Sequence, residues 1–229
     1  MSALRHDDTE GVIKFACDHS EQPWRSQIGR DHVVTLRAWR EVLQNQHVIG
    51  VDPLRYDGIG FGNMSARVPP YSSARGHRPF IITGTQTNGL QTLSPQHFAL
   101  VQKYDLLANR LESVGAILPS SEAMTHGAIY DLSPTIRYVF HGHCPILFHQ
   151  RRSLRIPTTR PHIPYGTVQM AQEMKRLCQE STLFERRIVA MDAHQDGIIT
   201  FGKTASEAGE TFLSYMVQAT IASLRTERS

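Results

Sequence analysis

The segment YVFHGHCP, residues 138–145, places two histidines one residue apart after a run of strand-forming residues. Side chains alternate between the two faces of a β-strand, so His141 and His143 point to the same face. Val139 shares that face, and Gly142 leaves the opposite face without a side chain between them. Two imidazoles that converge from one strand can bind a divalent metal, although they can also be a chance pair on a wet sheet face.

The order of helical and strand patterns in the rest of the chain predicts the fold class. The first helical pattern runs from Asp31, a candidate N-cap, to Gly50, and the last opens with Thr204 and Glu207 at capping-box spacing. Helices are predicted in DHVVTLRAWREVLQNQHVIG, PSSEAMTHGAIY, PILFHQRR, GTVQMAQEMKRLCQE and TASEAGETFLSYMVQATIASLR, and strands in FGNMSARV, PFIITGT, FALVQKYD, ESVGAI, IRYVFHGH, RRIVAMDAH and GIITFG. Helices interspersed with strands indicate an α/β protein with one sheet covered on both sides.

The length and composition indicate a single domain. Residues 1–30 are polar and predicted to form an irregular N-terminal arm, and residues 31–229 are predicted to form one domain. The formal net charge is only +3 and the arginines are scattered, so nucleic acid is not an expected partner. No run of eighteen apolar residues predicts a membrane span, and the first residues lack the apolar region of a secretory signal. With only three cysteines, a disulfide framework is not expected, and we predict a soluble cytoplasmic protein.

Two other segments offer groups that could complete a metal site with the histidine pair. Glu122 stands in LPSSEAMTH, at the start of a predicted helix, where a carboxylate is also commonplace because it complements the helix dipole. His194 stands in VAMDAHQDGIITFG, between two predicted strands, where a solvated loop histidine is the ordinary alternative. Zinc in proteins takes histidine and carboxylate ligands, and a catalytic site keeps one position open.

Four motifs in this order resemble the signatures of the class II aldolase/adducin family. They are GNMSAR, PSSEAMTHGAIY, VFHGHCP and AHQDGIITFGKTASEA, and the resemblance spans roughly residues 33–220. It implies a three-layer α/β/α fold around a central, mostly antiparallel sheet. It also implies a homo-oligomer, commonly a tetramer with sites between subunits.

The resemblance further implies a divalent metal, usually zinc, that is held by three histidines. These correspond to His141, His143 and His194 in this sequence, and Glu122 corresponds to the carboxylate that ligates the resting metal or acts as acid and base. The chemistry is sound on general grounds. A metal chelated by an α-hydroxycarbonyl compound stabilises the enediolate, and a neighbouring carboxylate moves the proton. The alternative of a Schiff-base lysine has little support, because none of the lysines lies in an apolar strand.

In relatives that act on phosphorylated sugars, three loops bind the phosphate. The matching candidates for substrate binding here are Asn63, Ser65, Gly84, Thr85, Ser120 and Ser121. The serine pair can equally cap a helix. The loop ITGTQTNG lacks the proline that the family carries, which argues against a phosphorylated substrate.

The segment after the histidine pair is shorter than in the family's aldolases and lacks their proton-donating tyrosine. Tyr165 resembles a later motif, and His149 and His162 are the remaining candidates for this acid, with surface positions as the alternative. We therefore predict a metal-dependent lyase of the aldolase type that acts on a small, sugar-like hydroxycarbonyl compound. The alternatives are an epimerase or dehydratase on the same metal site, and a non-catalytic adducin-like interaction module.

Overall fold

The protein is described by a computed structural model that covers residues 11–24 and 27–226. The strands are β1 (Ala16–Ser20), β2 (Asn63–Arg67), β3 (Phe80–Thr83), β4 (Phe98–Asp105), β5 (Arg110–Val114), β6 (Tyr138–His143), β7 (Ile188–Ala190) and β8 (Gly197–Gly202). The helices are α1 (Gln27–Asn45), α2 (Ala123–Leu132), α3 (Pro145–His149), α4 (Val168–Glu180), α5 (Leu183–Arg186) and α6 (Ala205–Thr226). Helices are interspersed with strands along the chain, as the sequence patterns predicted.

All eight strands form one sheet, in the order β1-β5-β4-β3-β2-β6-β8-β7. Every neighbouring pair is antiparallel except β1 and β5, which run parallel. Strand β6, which carries the histidine pair, lies inside the sheet between β2 and β8. Its register places His141 opposite Asn63 of β2, and His143 opposite Gly197 of β8.

Two apolar cores lie on the two faces of this sheet and confirm the three-layer α/β/α architecture. On one face α2 and α4 pack against side chains that include Ile82 and Val139. On the other face α1 and α6 pack against side chains that include Met64 and Phe140. Because the strand period is two, alternate residues of one strand supply the two cores. His141 and His143 share the α2 face with Val139.

The N-terminal boundary of the prediction is wrong. The segment predicted as an irregular arm, residues 1–30, contains strand β1 and the start of α1, while residues 1–10 and 25–26 lie outside the described part. The sequence patterns did not predict strand β1, because it is an edge strand in which exposed and half-buried residues alternate and few side chains are apolar. Helix α1 extends from Gln27 to Asn45, beyond Asp31 at its start and short of Gly50 at its end. Within residues 27–226, α5 is a further short helix that the patterns did not predict.

None of the helices among the described residues is both long and apolar enough to cross a lipid bilayer.

Candidate metal centre

Three histidines meet on the α2 face of the sheet. The Nε2 atom of His143 lies 3.1 Å from Nε2 of His141 and 3.1 Å from Nε2 of His194. Strand β6 supplies the first two, and the turn between β7 and β8 supplies the third. All three side chains are buried. The histidines that the family resemblance assigned to the metal are therefore brought together, and each presents a ring nitrogen to a common point.

A backbone carbonyl orients the ring of His141. Its Nδ1 atom lies 3.1 Å from the carbonyl oxygen of Ile198 on the neighbouring strand β8. A carbonyl can only accept, so Nδ1 donates to it, and Nε2 is the ring nitrogen directed at His143 and Glu122. This arrangement, in which the remote nitrogen donates to a carbonyl, is common among metal-ligating histidines.

Glu122 completes the cluster from the start of helix α2. Its Oε1 atom lies 2.9 Å from Nε2 of His141 and 3.4 Å from Nε2 of His194, and Asn63 Nδ2 donates to it at 3.4 Å. Burial by itself raises the pKa of this carboxyl group, but the adjacent His141 and His194 outweigh burial and hold the pKa well below its usual range. The carboxylate is thus ionised, and its second oxygen, Oε2, is buried without a hydrogen-bond partner.

The donor set fits a divalent cation. Neighbouring ligands of a tetrahedral zinc with bonds of about 2.1 Å lie about 3.4 Å apart, and the contacting donor atoms here are 2.9 to 3.4 Å apart. Burial lowers the pKa of His143 well below its usual value, and the neighbouring histidines lower it further, so this ring is neutral. Buried nitrogen lone pairs and an ionised carboxylate that converge on one point need a positive charge between them. Imidazole and carboxylate together are the ligands that zinc takes in catalytic sites.

Most of the predicted substrate-binding residues lie beside this centre. The turn after β3 runs along the segment before α2, since Thr85 N donates to the carbonyl oxygen of Leu118 at 3.0 Å and Gly84 forms an isolated bridge with Pro119. Ser120 N donates to the carbonyl oxygen of Thr83 at 3.1 Å. The structure therefore gathers Gly84, Thr85, Ser120 and Ser121 next to Glu122, with Asn63 on the neighbouring strand β2.

The role of the serines as helix caps is only partly realised. Glu122 is the N-cap residue of α2, and its side chain makes no capping hydrogen bond. Ser120 Oγ accepts a 3.3 Å hydrogen bond from the backbone N–H of Glu122. Ser120 and Ser121 are both buried, at 6% and 5% exposure.

Ser65 lies apart from the other candidates. It is fully buried, and its Oγ lies 2.7 Å from Nδ1 of His126 and 2.7 Å from the hydroxyl of Tyr130. Both of these partners belong to helix α2, so Ser65 joins the sheet to that helix. Its hydroxyl is engaged inside the protein, and the structure gives it a packing role in place of the predicted contact with substrate.

The two candidates for the missing acid after the histidine pair, and Tyr165 in the same segment, are exposed or otherwise engaged. His149 and His162 are exposed, and His149 Nδ1 bonds to the carbonyl oxygen of Pro145. The ring of Tyr165 packs against His194 at a centroid distance of 4.8 Å, but its hydroxyl bonds to the backbone N–H and carbonyl of Val12. Tyr165 therefore supports a candidate ligand and does not present its hydroxyl to the centre.

Sequence reasoning missed a group of residues on the other side of the centre, in the loop between α1 and β2. The ring of Tyr56 contacts the ring of His143, and its hydroxyl donates to Asp196 Oδ2 at 2.8 Å. Arg55 donates to the carbonyl oxygen of His143 at 3.3 Å. The loop has no helical or strand period, so only the turn residues of LRYDGIG marked it in the sequence.

Comparisons with known proteins agree with the family resemblance of the four motifs. The family model described as "Class II Aldolase and Adducin N-terminal domain" matches residues 52–222. No curated protein sequence matches the chain significantly. Among solved structures, an L-fuculose 1-phosphate aldolase is similar with a TM-score of 0.64 and 17% identity, and the match covers 90% of each chain.

Two further solved structures resemble the fold. The L-fuculose-1-phosphate aldolase of Thermus thermophilus has a TM-score of 0.60 and 18% identity over 86% of this chain and 95% of its own. YgbL of Escherichia coli, described as a candidate aldolase/epimerase/decarboxylase, has a TM-score of 0.62 and 16% identity over 85% of this chain and 89% of its own. At these identities the likeness concerns the fold.

Proposed function

Because this chain belongs to the class II aldolase and adducin family, we propose that it is a metal-dependent lyase of the aldolase type. Its substrate is a small, sugar-like hydroxycarbonyl compound, and its metal is a divalent cation, with zinc the first choice. One observation carries the proposal: the Nε2 atoms of His141, His143 and His194 and the Oε1 atom of Glu122 converge in a buried cluster.

In this proposal the three histidines hold the cation, and Glu122 is the catalytic base. A divalent cation bound there would polarise a substrate carbonyl and stabilise the negative charge of an enediolate. Glu122 is ionised and fixed at the start of α2, so its carboxylate can accept a proton from the carbon next to that carbonyl. The unpartnered Oε2 atom is the oxygen free to take the proton.

The residues gathered beside Glu122 form the proposed substrate-binding side. Asn63, Ser120 and Ser121 offer side-chain donors, and the Gly84–Thr85 turn offers backbone amides and one hydroxyl. Ser65 is left out of this set because its hydroxyl is bonded inside the protein. The proposed setting is the cytoplasm.

An epimerase or dehydratase is the second candidate function, because an enediolate on the same site serves these reactions as well. The described activities of the YgbL structure keep this alternative open. A non-catalytic interaction module is less well supported, since the three histidines and Glu122 are present, buried and convergent.

The test measures enolisation, a step that cleavage and epimerisation share. Metal content of the purified protein is determined first, and exchange of the proton next to the carbonyl of a short hydroxyketone is then followed by NMR in heavy water. Glu122→Gln keeps the shape and removes the basicity, so we expect retained metal and an exchange rate lower by about 10²- to 10⁴-fold. Glu207→Gln, which removes another carboxylate at a helix start, is the matched control and should exchange at the wild-type rate.

Equal rates for Glu122→Gln and wild type would remove Glu122 from the mechanism. A metal-loaded wild type that exchanges no proton in any short hydroxyketone would favour the interaction module. Product analysis then separates cleavage from epimerisation.

A further inference from the structure

The ring of His143 lies in an aromatic corner formed by the loop between α1 and β2. Tyr56 packs on it in a T-shaped contact with a centroid distance of 4.5 Å, and Phe61 packs on it at 5.3 Å. The two aromatic rings also pack on each other at 5.0 Å. Whereas a carbonyl orients His141, ring contacts from a separate segment of the chain surround His143. Edge-to-face contacts of this kind have a preferred geometry, so they restrict the angle of the imidazole.

The hydroxyl of Tyr56 reaches the segment that carries the third histidine. It donates to Oδ2 of Asp196 at 2.8 Å, and Asp196 lies two residues after His194 in the turn between β7 and β8. Burial raises the pKa of this hydroxyl, and the Asp196 carboxylate adds to the increase, so the proton stays on Tyr56. The backbone carbonyl of Asp196 also accepts from Cys144 N at 2.9 Å, next to His143. A single side chain thus links the end of β6 to the turn of His194.

Arg55 fixes Tyr56 in this position. Its guanidinium donates to the Tyr56 hydroxyl at 2.6 Å, to the carbonyl oxygen of His143 at 3.3 Å and to that of His47 at 3.1 Å. It also lies 4.8 Å above the centroids of the Tyr56 and Phe61 rings. The side chain therefore joins the loop to the last residue of β6 through hydrogen bonds and cation–π contacts together.

The backbone of the loop adopts an unfavourable conformation at the same place. Tyr56, Asp57 and Gly58 are consecutive residues with φ of 52°, 56° and 72°. Left-handed conformations cost energy for residues with a Cβ, most of all for a bulky ring such as that of tyrosine. Such strain persists only where surrounding contacts enforce it, and it tends to occur at functional sites. Tyr56 has this conformation while its ring contacts His143 and its hydroxyl donates to Asp196.

We propose that Tyr56 is a positioning residue of the metal centre. Its ring sets the angle of the His143 imidazole, and its hydroxyl ties that ring to the turn that carries His194. Two ligands from separate segments are thereby held in one geometry before a cation binds. This inference rests on the proposed metal centre but does not depend on which reaction the centre performs.

The test compares zinc affinity, measured by competition with a chromophoric chelator, for wild type, Tyr56→Phe and Tyr56→Leu. Tyr56→Phe keeps the ring and removes the hydrogen bonds to Asp196 and from Arg55, and we expect about tenfold weaker binding. Tyr56→Leu removes both the ring and the hydroxyl. We expect zinc affinity to fall about 100-fold, at the upper end for residues that support metal ligands. With Co²⁺ in place of zinc, the visible absorption spectrum should change in both variants, because it reports ligand geometry.

Tyr138→Phe is the matched control. Tyr138 lies on β6, the strand that carries His141 and His143, but its side chain packs with the core on the opposite face of the sheet. Its hydroxyl lies 2.8 Å from Nδ1 of His32. Tyr56→Phe removes two hydrogen bonds of the hydroxyl and Tyr138→Phe removes one, so both should lower the free energy of unfolding, Tyr56→Phe by the larger amount. Only Tyr56→Phe should weaken zinc binding and change the cobalt spectrum.

The hydrogen bond to Asp196 is tested by a double-mutant cycle. Asp196 has a φ of 61°, which glycine adopts readily, so Asp196→Gly removes the carboxylate without backbone strain. Its effect on zinc affinity should not add to that of Tyr56→Phe, because both changes break the same bond. Folded Tyr56→Phe that binds zinc as wild type does and gives the same cobalt spectrum would overturn the inference, whatever becomes of Tyr56→Leu. A wild type without zinc affinity would overturn it together with the proposed metal centre.

Discussion

At the scale of single residues, Gly142 allows the histidine pair to be placed inside the sheet. A Cβ atom at this position would lie 2.6 Å from the carbonyl oxygen of Val48 and 3.2 Å from the ring of Phe212. That carbonyl accepts a 2.8 Å hydrogen bond from His143 N, so it cannot move away freely. We predict that Gly142→Ala lowers the free energy of unfolding in urea by about 1–3 kcal/mol, the usual cost of overpacking. Gly89→Ala, whose Cβ would meet its nearest neighbour at 3.7 Å, should be tolerated, and equal losses in the two variants would contradict this explanation.

At the scale of elements, Glu173 ties helix α4 to the loop after α3. Its Oε1 accepts from Arg160 N at 2.8 Å, and both of its oxygens accept from Arg176. The hydrogen bond from Arg176 lowers the pKa of this carboxyl group, although burial opposes it. Because the folded-state pKa lies below the unfolded value of about 4.3, the ionised group stabilises the fold above that pH and loses this effect as pH falls through the folded-state pKa.

Glu173→Gln should therefore be less stable than wild type at pH 7, and the difference should shrink as pH falls below about 4. Urea unfolding at pH values from neutral to acidic measures it. Glu180→Gln is the control, since Glu180 also pairs with Arg176, at 3.0 Å, but is 59% exposed. Its effect should stay within about 1 kcal/mol and vary little with pH. A difference for Glu173→Gln that is independent of pH would show that the charge of Glu173 does not stabilise the fold.

At the scale of the whole molecule, helix α6 leaves an apolar stripe uncovered. Val217, Ile221 and Leu224 follow at helical spacing and are 60%, 44% and 52% exposed, whereas Phe212 of the same helix is buried in the core. Exposed apolar residues that share one helix face indicate a contact surface.

The homo-oligomer expected from the family, with a tetramer as the preferred form, stays a prediction. Light scattering should report an oligomer, and the double variant Val217→Lys, Ile221→Lys should shift it towards smaller species. The neighbouring exposed Gln218→Lys should not, and a stable wild-type monomer at micromolar concentration would contradict the assembly.

The sequence by itself determined the local arrangements. The two-residue period of a strand places His141 and His143 on one face, because that spacing depends only on backbone geometry. The element order and the layered α/β class follow from hydrophobic periodicity over long segments, where apolar faces must be buried. The order of the four motifs identified the family, and through it His194 and Glu122, which no local pattern joins to β6. Edge strand β1 and the ends of α1 were missed or misplaced, because few apolar side chains mark the strand and packing decides where a helix stops.

Only the tertiary structure decided which polar side chains share an environment. Asn63 and Ser65 are two residues apart on strand β2 and share the face that α2 covers, yet Asn63 reaches Glu122 while Ser65 bonds to His126 and Tyr130. Asn63 lies beside the start of α2 and Ser65 beside its later turns, and the packing of the whole core fixes where α2 lies on the sheet. Tyr56 lies in a loop without periodicity, and its contacts with His143 and Asp196 span 87 and 140 positions of the chain. Contacts at such separations depend on how the sheet and its helices pack together, so no local sequence pattern predicts them.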